Sequence, residues 1–477
     1  MTKRFFSVSE EERQERNTLI RDSARDREGT FMATEIQIRQ GDQIGGCVTI
    51  ITYAGDGVTV RLMIDYGMSL PGAEQKEEYE HDWEKEPVDA VLFTHYHGDH
   101  AGRFREVPAR TRLYLGAASR AVMINIYQAL ARARDQRTAS SAREALAVLQ
   151  DDIRIAEVKR DTPMAVGPVT VTGYEVDHSA YDAYMYLIET PDKTILHTGD
   201  FRGHGYRGKA LLPMTNWYIR RNGRRDVDIL ITEGTMMSRR TEIVKTEAEL
   251  QAEARKYFRE HRYAFLICSS TNLDSLASFY QAARANGMYL YTYSNYVCQQ
   301  LRTFTELAGA RTELYQFEEV YVLRPDQELH HKAWSKPRKQ KELMREHGFL
   351  ALIKPEDFCE KYINEFLDLK PVIVYSMWDG YLKPEEAAYI RKWDAFLKRQ
   401  QAKGVEVKHL HTSGHATAEQ LTQLIKEVNP REAICPIHTE HAEGFYELEL
   451  PQELKERISW KGDCGVLYKR AMDERLS

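Results

Sequence analysis

The stretch FTHYHGDHAG, residues 93–102, holds three histidines and an aspartate within six consecutive positions. The apolar run VDAVLF overlaps its start and predicts a buried strand that ends where the polar side chains begin. Neutral imidazole and carboxylate groups are ligands that zinc takes in proteins, and leaving them unpaired beside an apolar strand would cost several kcal/mol. The motif therefore predicts a metal site formed by His95, His97, Asp99 and His100, with a histidine-rich surface turn as the alternative.

Three more predicted strand ends carry candidate ligands: His178 in VDHSA, Asp200 in HTGDF and His438 in PIHTEH. Taken singly, each would more often be an ordinary hydrogen-bonding residue. Taken with the first motif, they supply the seven groups that two cations need when one carboxylate bridges them. Two cations about 3.5 to 4 Å apart activate water and neutralise charge on a phosphodiester, so the pattern predicts phosphoester hydrolysis.

The segments around these residues predict two β-sheets with helices outside them. Short strand patterns lie on both sides of a helical region at residues 117–150 that is rich in Ala, Arg and Leu. After Thr235 the pattern changes to alternating amphipathic helices and buried strands, which indicates a separate α/β layer. The segments VEVKHLHTSGHATAEQLTQLIKEVNP and EAICPIHTEH then predict a strand, a turn, a helix and a further strand.

The composition is that of an ordinary globular protein. The 477 residues, 42% apolar and 29% charged, are enough for two or three domains. No apolar run approaches the ~20 residues that span a bilayer and the charged N-terminus lacks a signal-type apolar run, so we expect a cytoplasmic protein without membrane contact. Six scattered cysteines without a CxxC argue against a disulfide framework and a thiolate zinc site. With a net charge of −6, nucleic acid would have to be met by a local basic groove.

The motifs HYHGDH, DH, TGDF, HTSGHA and PIHTEH, in this order, resemble the metallo-β-lactamase superfamily, specifically its β-CASP nucleic-acid-processing branch and, within it, the ribonuclease J group. The resemblance runs from about Gly41 to the end and includes SSTNLDSLASFYQAARANG and the closing strand WKGDCGVLY. It implies an α/β fold, an αββα metallo-β-lactamase sandwich with an inserted α/β β-CASP domain. The expected boundaries are a charged arm at 1–34, the first part of the sandwich at 35–238, the insertion at 239–404 and the completion of the sandwich at 405–477.

The resemblance also implies how the ligands divide between two metal ions. His95, His97 and His178 would hold one ion, Asp200 would bridge, and the other ion would be held by Asp99, His100 and His438. The expected cofactor is two Zn²⁺, with Mn²⁺ or Mg²⁺ as substitutes under assay conditions. Asp65 in MIDYG matches the superfamily's structural aspartate below the metal site.

Catalytic roles follow from the same motifs. Asp99 would accept a proton from the attacking water, and His415 in HTSGHA matches the histidine near the leaving oxygen. Glu233 in LITEGT matches the acidic motif that orients a ligand histidine. Ser413 lies where the family contacts a phosphate, and His411 of the same motif is a further candidate substrate contact.

Other substrate contacts are proposed from residue type alone. Ser270, Thr271 and Asn272 lie between a buried strand and a helix, where they would present N–H groups to an anion or simply cap the helix. Trp378 and Tyr381 would stack on bases or pack in the core. Candidate phosphate contacts, with solvated surface charge as the alternative, are Arg220, Arg221, Arg224, Arg225, Arg239, Arg240 and the run HHKAWSKPRKQK.

The expected activity is cleavage of single-stranded RNA, mainly as a 5′-to-3′ exonuclease with additional endonuclease cuts. The alternatives are a DNA nuclease of the same branch, a small-molecule metallo-hydrolase and a noncatalytic binding protein. The sequence departs from the ribonuclease J pattern in PIHTEH, which reads HTE where HGE is usual, and in SMWDGYL. Little follows His438 beyond a terminal strand, so a separate C-terminal assembly domain is not expected and a homo-oligomer stays an open alternative.

Overall fold

The computed structural model describes residues 33–70, 78–309, 312–323, 337–386 and 388–459. Residues 1–32 of the predicted charged arm, the closing strand WKGDCGVLY and most of the basic run HHKAWSKPRKQK lie outside these residues. The last two residues of that arm, 33 and 34, begin the first strand instead. Within them the chain forms three six-stranded sheets.

The first sheet has the strand order β1-β2-β3-β4-β5-β6, antiparallel at β1-β2-β3 and parallel from β3 onwards. Asp56 and Gly57, both in the left-handed region, form the tight turn between β2 and β3, as an Asp-Gly pair does in hairpins whose twist matches the strands. The strands are β1 Ala33–Arg39, β2 Val48–Gly55, β3 Val58–Ile64, β4 Ala90–Leu92, β5 Arg112–Gly116 and β6 Ile155–Val158.

The second sheet has the order β18-β11-β10-β9-β8-β7, parallel at β18-β11-β10 and antiparallel beyond. Its inner face packs on the first sheet, where Ile36, Ile51 and Leu62 share one buried cluster with Ile188 and Ile231. The strands are β7 Pro163–Val166, β8 Val169–Val176, β9 Ala183–Glu189, β10 Thr194–His197, β11 Ile229–Glu233 and β18 Ala433–Ile437.

Helices cover the outer faces of both sheets. The first sheet is covered by α2 Ala117–Leu130 and α3 Gln136–Leu149, and the second by α11 Ala418–Val428. Short helical turns complete these layers: α1 Gly98–Ala101, α4 Leu211–Met214 and α12 Gln452–Lys455. The predicted αββα sandwich is therefore confirmed.

The third sheet is entirely parallel, in the order β14-β13-β15-β12-β16-β17, with buried clusters on both faces. This is the predicted separate α/β layer. Its strands are β12 Tyr263–Cys268, β13 Tyr289–Thr292, β14 Val320–Val322, β15 Phe349–Leu352, β16 Val372–Ser376 and β17 Glu406–His409. Its helices are α5 Glu247–Glu260, α6 Leu273–Arg284, α7 Asn295–Ala308, α8 Pro337–His347, α9 Asp357–Asn364 and α10 Arg391–Ala402.

The end of the insertion differs from the expected boundary. Residue 404 was the predicted last residue, yet β17 pairs with β16 from Val372↔Glu406 to Tyr375↔His409. The strand VEVKHL therefore belongs to the third sheet, because its backbone pairs with N–H and C=O groups of β16 that would otherwise lie unpaired at the edge of the sheet. Among the described residues, no helix is long and apolar enough to cross a bilayer.

Candidate metal centre

Four loops from the two packed sheets meet at one place. His95 follows β4 of the first sheet, whereas His178, Asp200 and His438 follow β8, β10 and β18 of the second. Side chains at strand ends converge where two sheet edges meet, and here the strand partners hold the loops in fixed register. Most of these side chains are buried, since His95, His178, Asp200 and His438 are all at most 2% exposed.

The first group of candidate ligands is His95, His97 and His178, whose ligand atoms lie within 4.8 Å of one another. His97 Nδ1 lies 3.0 Å from His95 Nε2 and 3.3 Å from His178 Nε2. Three imidazole nitrogens facing a common point, with few other hydrogen-bonding partners, are the arrangement of a three-histidine zinc site.

The second group is Asp99, His100 and His438, whose ligand atoms also lie within 4.8 Å of one another. Asp99 Oδ2 is 3.4 Å from His438 Nε2 and 3.8 Å from His100 Nε2. Asp200 lies between the groups: its carboxylate oxygens are 3.1 Å from His100 Nε2, 3.7 Å from His438 Nδ1 and 4.0 Å from His178 Nε2. The seven predicted ligands are thus brought together with Asp200 in the central position.

Neighbouring groups contact the second ring nitrogen of His100, His178 and His438. Asp65 accepts from His100 Nδ1 at 2.8 Å and from Thr94 N at 2.7 Å, which fixes the strand end as well as the ring. The Gly414 carbonyl lies 2.6 Å from His178 Nδ1, and the Thr235 hydroxyl 2.9 Å from His438 Nδ1. Such outer partners select the tautomer that leaves the other nitrogen free to ligate.

Glycine is required where the backbone supports this cluster. A Cβ at Gly67 would lie 1.8 Å from the Asp99 carbonyl oxygen, a contact that only a displacement of the HYHGDH loop could relieve. Gly67 follows Asp65 by two residues, so one short segment supports both the His100 ring and the Asp99 backbone.

The donor set fits divalent cations. His100 Nε2 is buried and has no hydrogen-bond partner among the described residues, although it faces Asp200 and Asp99. Burial holds the pKa of His95 and His178 well below the usual value, and lowers that of His97 to about 4. These three rings are therefore neutral near pH 7, the form in which imidazole binds metal.

The acidic ligands are charged. Burial by itself would raise the pKa of both carboxyls, but the imidazole of His100 and its histidine neighbours lowers the pKa of Asp99 and Asp200 below the usual range. Conversely, Asp200, Asp99 and Asp65 raise the pKa of His100 well above its usual value against the effect of burial. A bound cation would replace that proton on His100 as the neutralising charge.

His415 and Glu233 form a pair at the edge of the cluster. His415 Nδ1 is 3.2 Å from Glu233 Oε2 and 3.5 Å from Asp200 Oδ2, without the alignment of a hydrogen bond. Burial would lower the pKa of His415, but Glu233 and Asp200 raise it. Glu233 faces His415 because its other oxygen is held by Phe201 N and Ala416 N. His415 lies outside the seven predicted ligands, but one of its ring nitrogens lies within 4.8 Å of ligand atoms of His178 and Asp200. The role of Glu233 in orienting a ligand histidine stays a prediction.

A cavity of about 440 Å³ adjoins this pair and is lined by both His411 and Ser413. Ser413 Oγ accepts from His415 N at 3.1 Å, so the cavity is continuous with the HTSGHA loop. The Arg239 guanidinium lies 4.8 Å from the Trp378 ring on the same wall. The lining holds three cations and three carboxylates, so its charges balance, and the Trp378 ring offers a face on which a base could stack.

The segment Ser270 to Asn272 connects the insertion to the metal motif. The Asn272 side chain caps α6 by accepting a hydrogen bond from Ser275 N at 3.2 Å. Helix capping was one of the two roles predicted for this segment. The Thr271 carbonyl accepts from the Tyr96 hydroxyl at 2.6 Å, and Tyr96 lies inside HYHGDH. Ser269 and Thr271 hydroxyls are 2.9 Å apart, while the role of Ser270, Thr271 and Asn272 as anion contacts stays a prediction.

The remaining candidates are dispersed. Tyr381 packs on Trp378 with ring centroids 5.6 Å apart. Of these two rings in the insertion, Trp378 lines the 440 Å³ cavity. Arg239 and Arg240 form ion pairs with Glu242 and Glu447. The four arginines of YIRRNGRRD lie after α4, away from the residues lining the 440 Å³ cavity.

One buried residue that the sequence did not single out is Arg202. It is fully buried and donates to Asp177 at 3.1 Å, to Glu247 at 3.2 Å and to Asp274 at 2.8 Å. It also donates to the Ser413 carbonyl at 3.0 Å. Nothing in TGDFR distinguishes this arginine from a surface one, since its acceptors come from distant segments.

Known proteins resemble this chain in sequence and in fold. Residues 47–230 match the metallo-β-lactamase superfamily, and residues 404–447 match the Zn-dependent metallo-hydrolase RNA specificity domain. An endoribonuclease ysh-1 of Neurospora crassa is 26% identical over 206 residues, 41% of this chain and 22% of that protein. The match thus spans about a fifth of the relative's length.

A crystal structure of a protein of unknown function from Enterococcus faecalis V583 is similar in fold, with a TM-score of 0.62 and 17% sequence identity. The likeness covers 88% of this chain and 98% of that one. At this identity it supports the architecture and nothing further.

Proposed function

On the premise that this chain belongs to the metallo-β-lactamase superfamily, in its β-CASP branch, we propose that it is a metal-dependent ribonuclease that hydrolyses single-stranded RNA. The observation that carries the proposal is the convergence of seven ligands on one point, with Asp200 between the two groups. The endoribonuclease relative and the RNA specificity match at 404–447 support RNA as the substrate.

Two divalent cations held by these residues would lower the pKa of a water and neutralise charge on the scissile phosphate. Zinc suits the nitrogen-rich ligand set, and manganese or magnesium are substitutes. Asp99, whose side chain is 16% exposed, is the proposed acceptor of a proton from the attacking water.

His415 is the proposed proton donor to the leaving 3′ oxygen. Its ring is 23% exposed, whereas Glu233 beside it is fully buried and held by backbone N–H groups. A buried carboxylate at 3.2 Å favours the protonated imidazole, which is the form that a general acid needs. Glu233 therefore acts through His415, and the adjoining cavity with Ser413 and His411 would receive a nucleotide.

The first test is the variant Asp99→Ala. We expect it to abolish cleavage of single-stranded RNA while circular dichroism shows an intact fold, because the side chain is at the edge of the cluster and not in a core. Asp56→Ala, in an exposed hairpin turn, is the control and should retain full activity. Cleavage by a purified, metal-loaded Asp99→Ala sample would disprove the assignment.

A second experiment determines the mode of cleavage. RNA labelled at one end and carrying a 5′-monophosphate, triphosphate or hydroxyl is digested beside a DNA of matched sequence. Labelled mononucleotides from 5′-labelled RNA would support the proposed 5′-to-3′ exonuclease, and internal fragments would support endonuclease cuts. Equal digestion of the DNA favours the DNA-nuclease alternative, and no digestion of either strand favours a small-molecule hydrolase.

A further inference from the structure

A second cavity, of about 800 Å³, lies on the metallo-β-lactamase part of the chain and shares no lining residue with the 440 Å³ cavity. Its wall is formed by the end of β8 and by the segment that contains α4 and the turn after it. Trp217 and Tyr218 line it and are 65% and 50% exposed. Large aromatic side chains this exposed, beside a cavity, are typical of a binding surface.

The Arg207 side chain, which is 26% exposed, lines this cavity. All three guanidinium nitrogens of Arg207 are buried and have no hydrogen-bond partner among the described residues. The nearest carboxylate oxygen, on Glu175, is 3.8 Å away, and the guanidinium lies 4.7 Å from the Tyr181 ring. Because five donors without acceptors are costly inside a protein, the site favours a ligand that supplies acceptor atoms.

The remaining polar lining indicates which class of ligand fits. Glu175 and Asp161 offer acceptors, whereas Arg160 and Arg207 offer donors. Asp177 is a third carboxylate in the lining, so the two arginines do not give the cavity an excess of cations for a phosphate. A neutral planar group with both donor and acceptor edges suits such a site, and exposed aromatic faces favour stacking of that group.

The cations that could contact a phosphate lie just outside the 800 Å³ cavity. Arg221 and Arg224 follow Tyr218 in the chain and are exposed, in a turn where Arg221, Asn222 and Gly223 all have positive φ. Burial raises the pKa of Tyr174, a lining residue, and Arg221 is close enough to that phenol to oppose the rise. Cations at the rim and an aromatic interior without excess positive charge match a nucleotide of a single strand, whose phosphate would lie outside the cavity and whose base would lie inside it.

We propose that the 800 Å³ cavity is an exosite for single-stranded nucleic acid, which takes one base against Trp217 and Tyr218 while Arg221 and Arg224 contact the flanking phosphates. The proposal rests on the proposed nuclease function and adds a binding site outside the metal centre. It predicts that long strands are bound better than short ones.

The test compares Trp217→Ala with the unaltered enzyme on a long single-stranded RNA and on a dinucleotide, which has no further base to place in the exosite once it is bound for cleavage. We expect kcat/KM for the long strand to fall about tenfold, through KM, because one stacked base is lost. Cleavage of the dinucleotide should not change, and Trp217→Phe should restore most of the loss. Trp217 is exposed, so its replacement leaves the core untouched.

Two control variants test whether a loss of activity is specific to the exosite or follows from any similar change at the protein surface. Ile153→Ala removes another exposed apolar side chain, and Arg137→Ala is an exposed-arginine control for Arg221→Ala on the outer layer of the other sheet. Both should cleave the long strand normally, whereas Arg221→Ala should weaken its binding and reduce the salt dependence of binding.

Photocrosslinking gives a readout that does not depend on cleavage. RNA carrying 4-thiouridine, bound to the full chain with Asp99→Ala, should crosslink to residues 211–220. A crosslink elsewhere only, or equal losses on long and short substrates, would overturn the exosite and leave the nuclease proposal standing. If the unaltered enzyme cleaves neither substrate while the crosslink forms, the nuclease proposal fails and the binding site stands.

Discussion

Asp65 lies below the candidate ligands and accepts three hydrogen bonds that hold them in position. It accepts from the His100 ring, from Thr94 N and from the Thr94 hydroxyl, all at 2.7 to 2.8 Å. Its backbone has φ of 60°, a conformation that aspartate and asparagine tolerate better than most residues. The residue therefore couples the end of β4 to a candidate ligand.

We predict that Asp65→Asn weakens zinc binding about 10- to 100-fold, because the amide cannot accept from all three donors with full negative charge. Competition with a coloured chelator measures the affinity. Asp56→Asn is the matched control, since Asp56 also has positive φ but lies exposed in a hairpin turn. Equal zinc affinity in the two variants would show that Asp65 does not orient His100.

At the scale of elements, Arg202 joins the β10 loop to two helices of the insertion. Glu247 begins α5 and accepts from Ser275 and Ser278 at 2.9 Å, while Asp274 in α6 accepts from the Tyr315 hydroxyl at 2.6 Å. Every carboxylate around the guanidinium thus has further donors. Removing one charged group from a buried ion cluster destabilises the fold, because it leaves a buried charge without an opposite charge beside it.

The variant Arg202→Met should accordingly destabilise the protein by about 3 to 5 kcal/mol, measured as a lowered free energy of unfolding in urea. Arg240→Met removes an exposed ion pair with Glu447 and should cost at most about 1 kcal/mol. If the two variants unfold at the same urea concentration, Arg202 does not hold the insertion against the sandwich.

At the scale of the whole molecule, the candidate metal centre brings into contact loops that are far apart in the sequence. His438 and Asp99 are separated by 339 positions, and His178 and Gly414 by 236. Ions that bound only the folded chain would therefore stabilise the entire sandwich, by about 2.7 kcal/mol for one ion when free metal is at 100 times its Kd.

We predict that zinc added to chelator-stripped protein raises its Tm, and that Asp200→Asn loses most of this increase. Differential scanning calorimetry measures both. His441→Ala, an exposed histidine paired with Glu443, should keep the full increase. An unchanged Tm on adding zinc to the stripped protein would contradict a structural contribution of the ions.

Much of the fold could be predicted because its signals are local. Period-two and continuous apolar runs marked the strands, and amphipathic repeats marked the helices of the insertion. The candidate ligands could also be picked out from the sequence, since they lie in the loops that follow strands and are of types that bind metal, although their binding of metal stays a prediction. Side-chain chemistry and position along an element are properties of the sequence itself.

Tertiary packing alone decided the rest. The sequence could not show that Glu233 faces His415, that β17 joins the third sheet, or that Arg202 has three buried carboxylate partners. The cavity beside Trp217 is likewise formed by segments that no motif connects. The physical reason is the same in each case: partners come from distant strands and helices, and only the packing of sheet on sheet and of the insertion on the sandwich determines which of them meet.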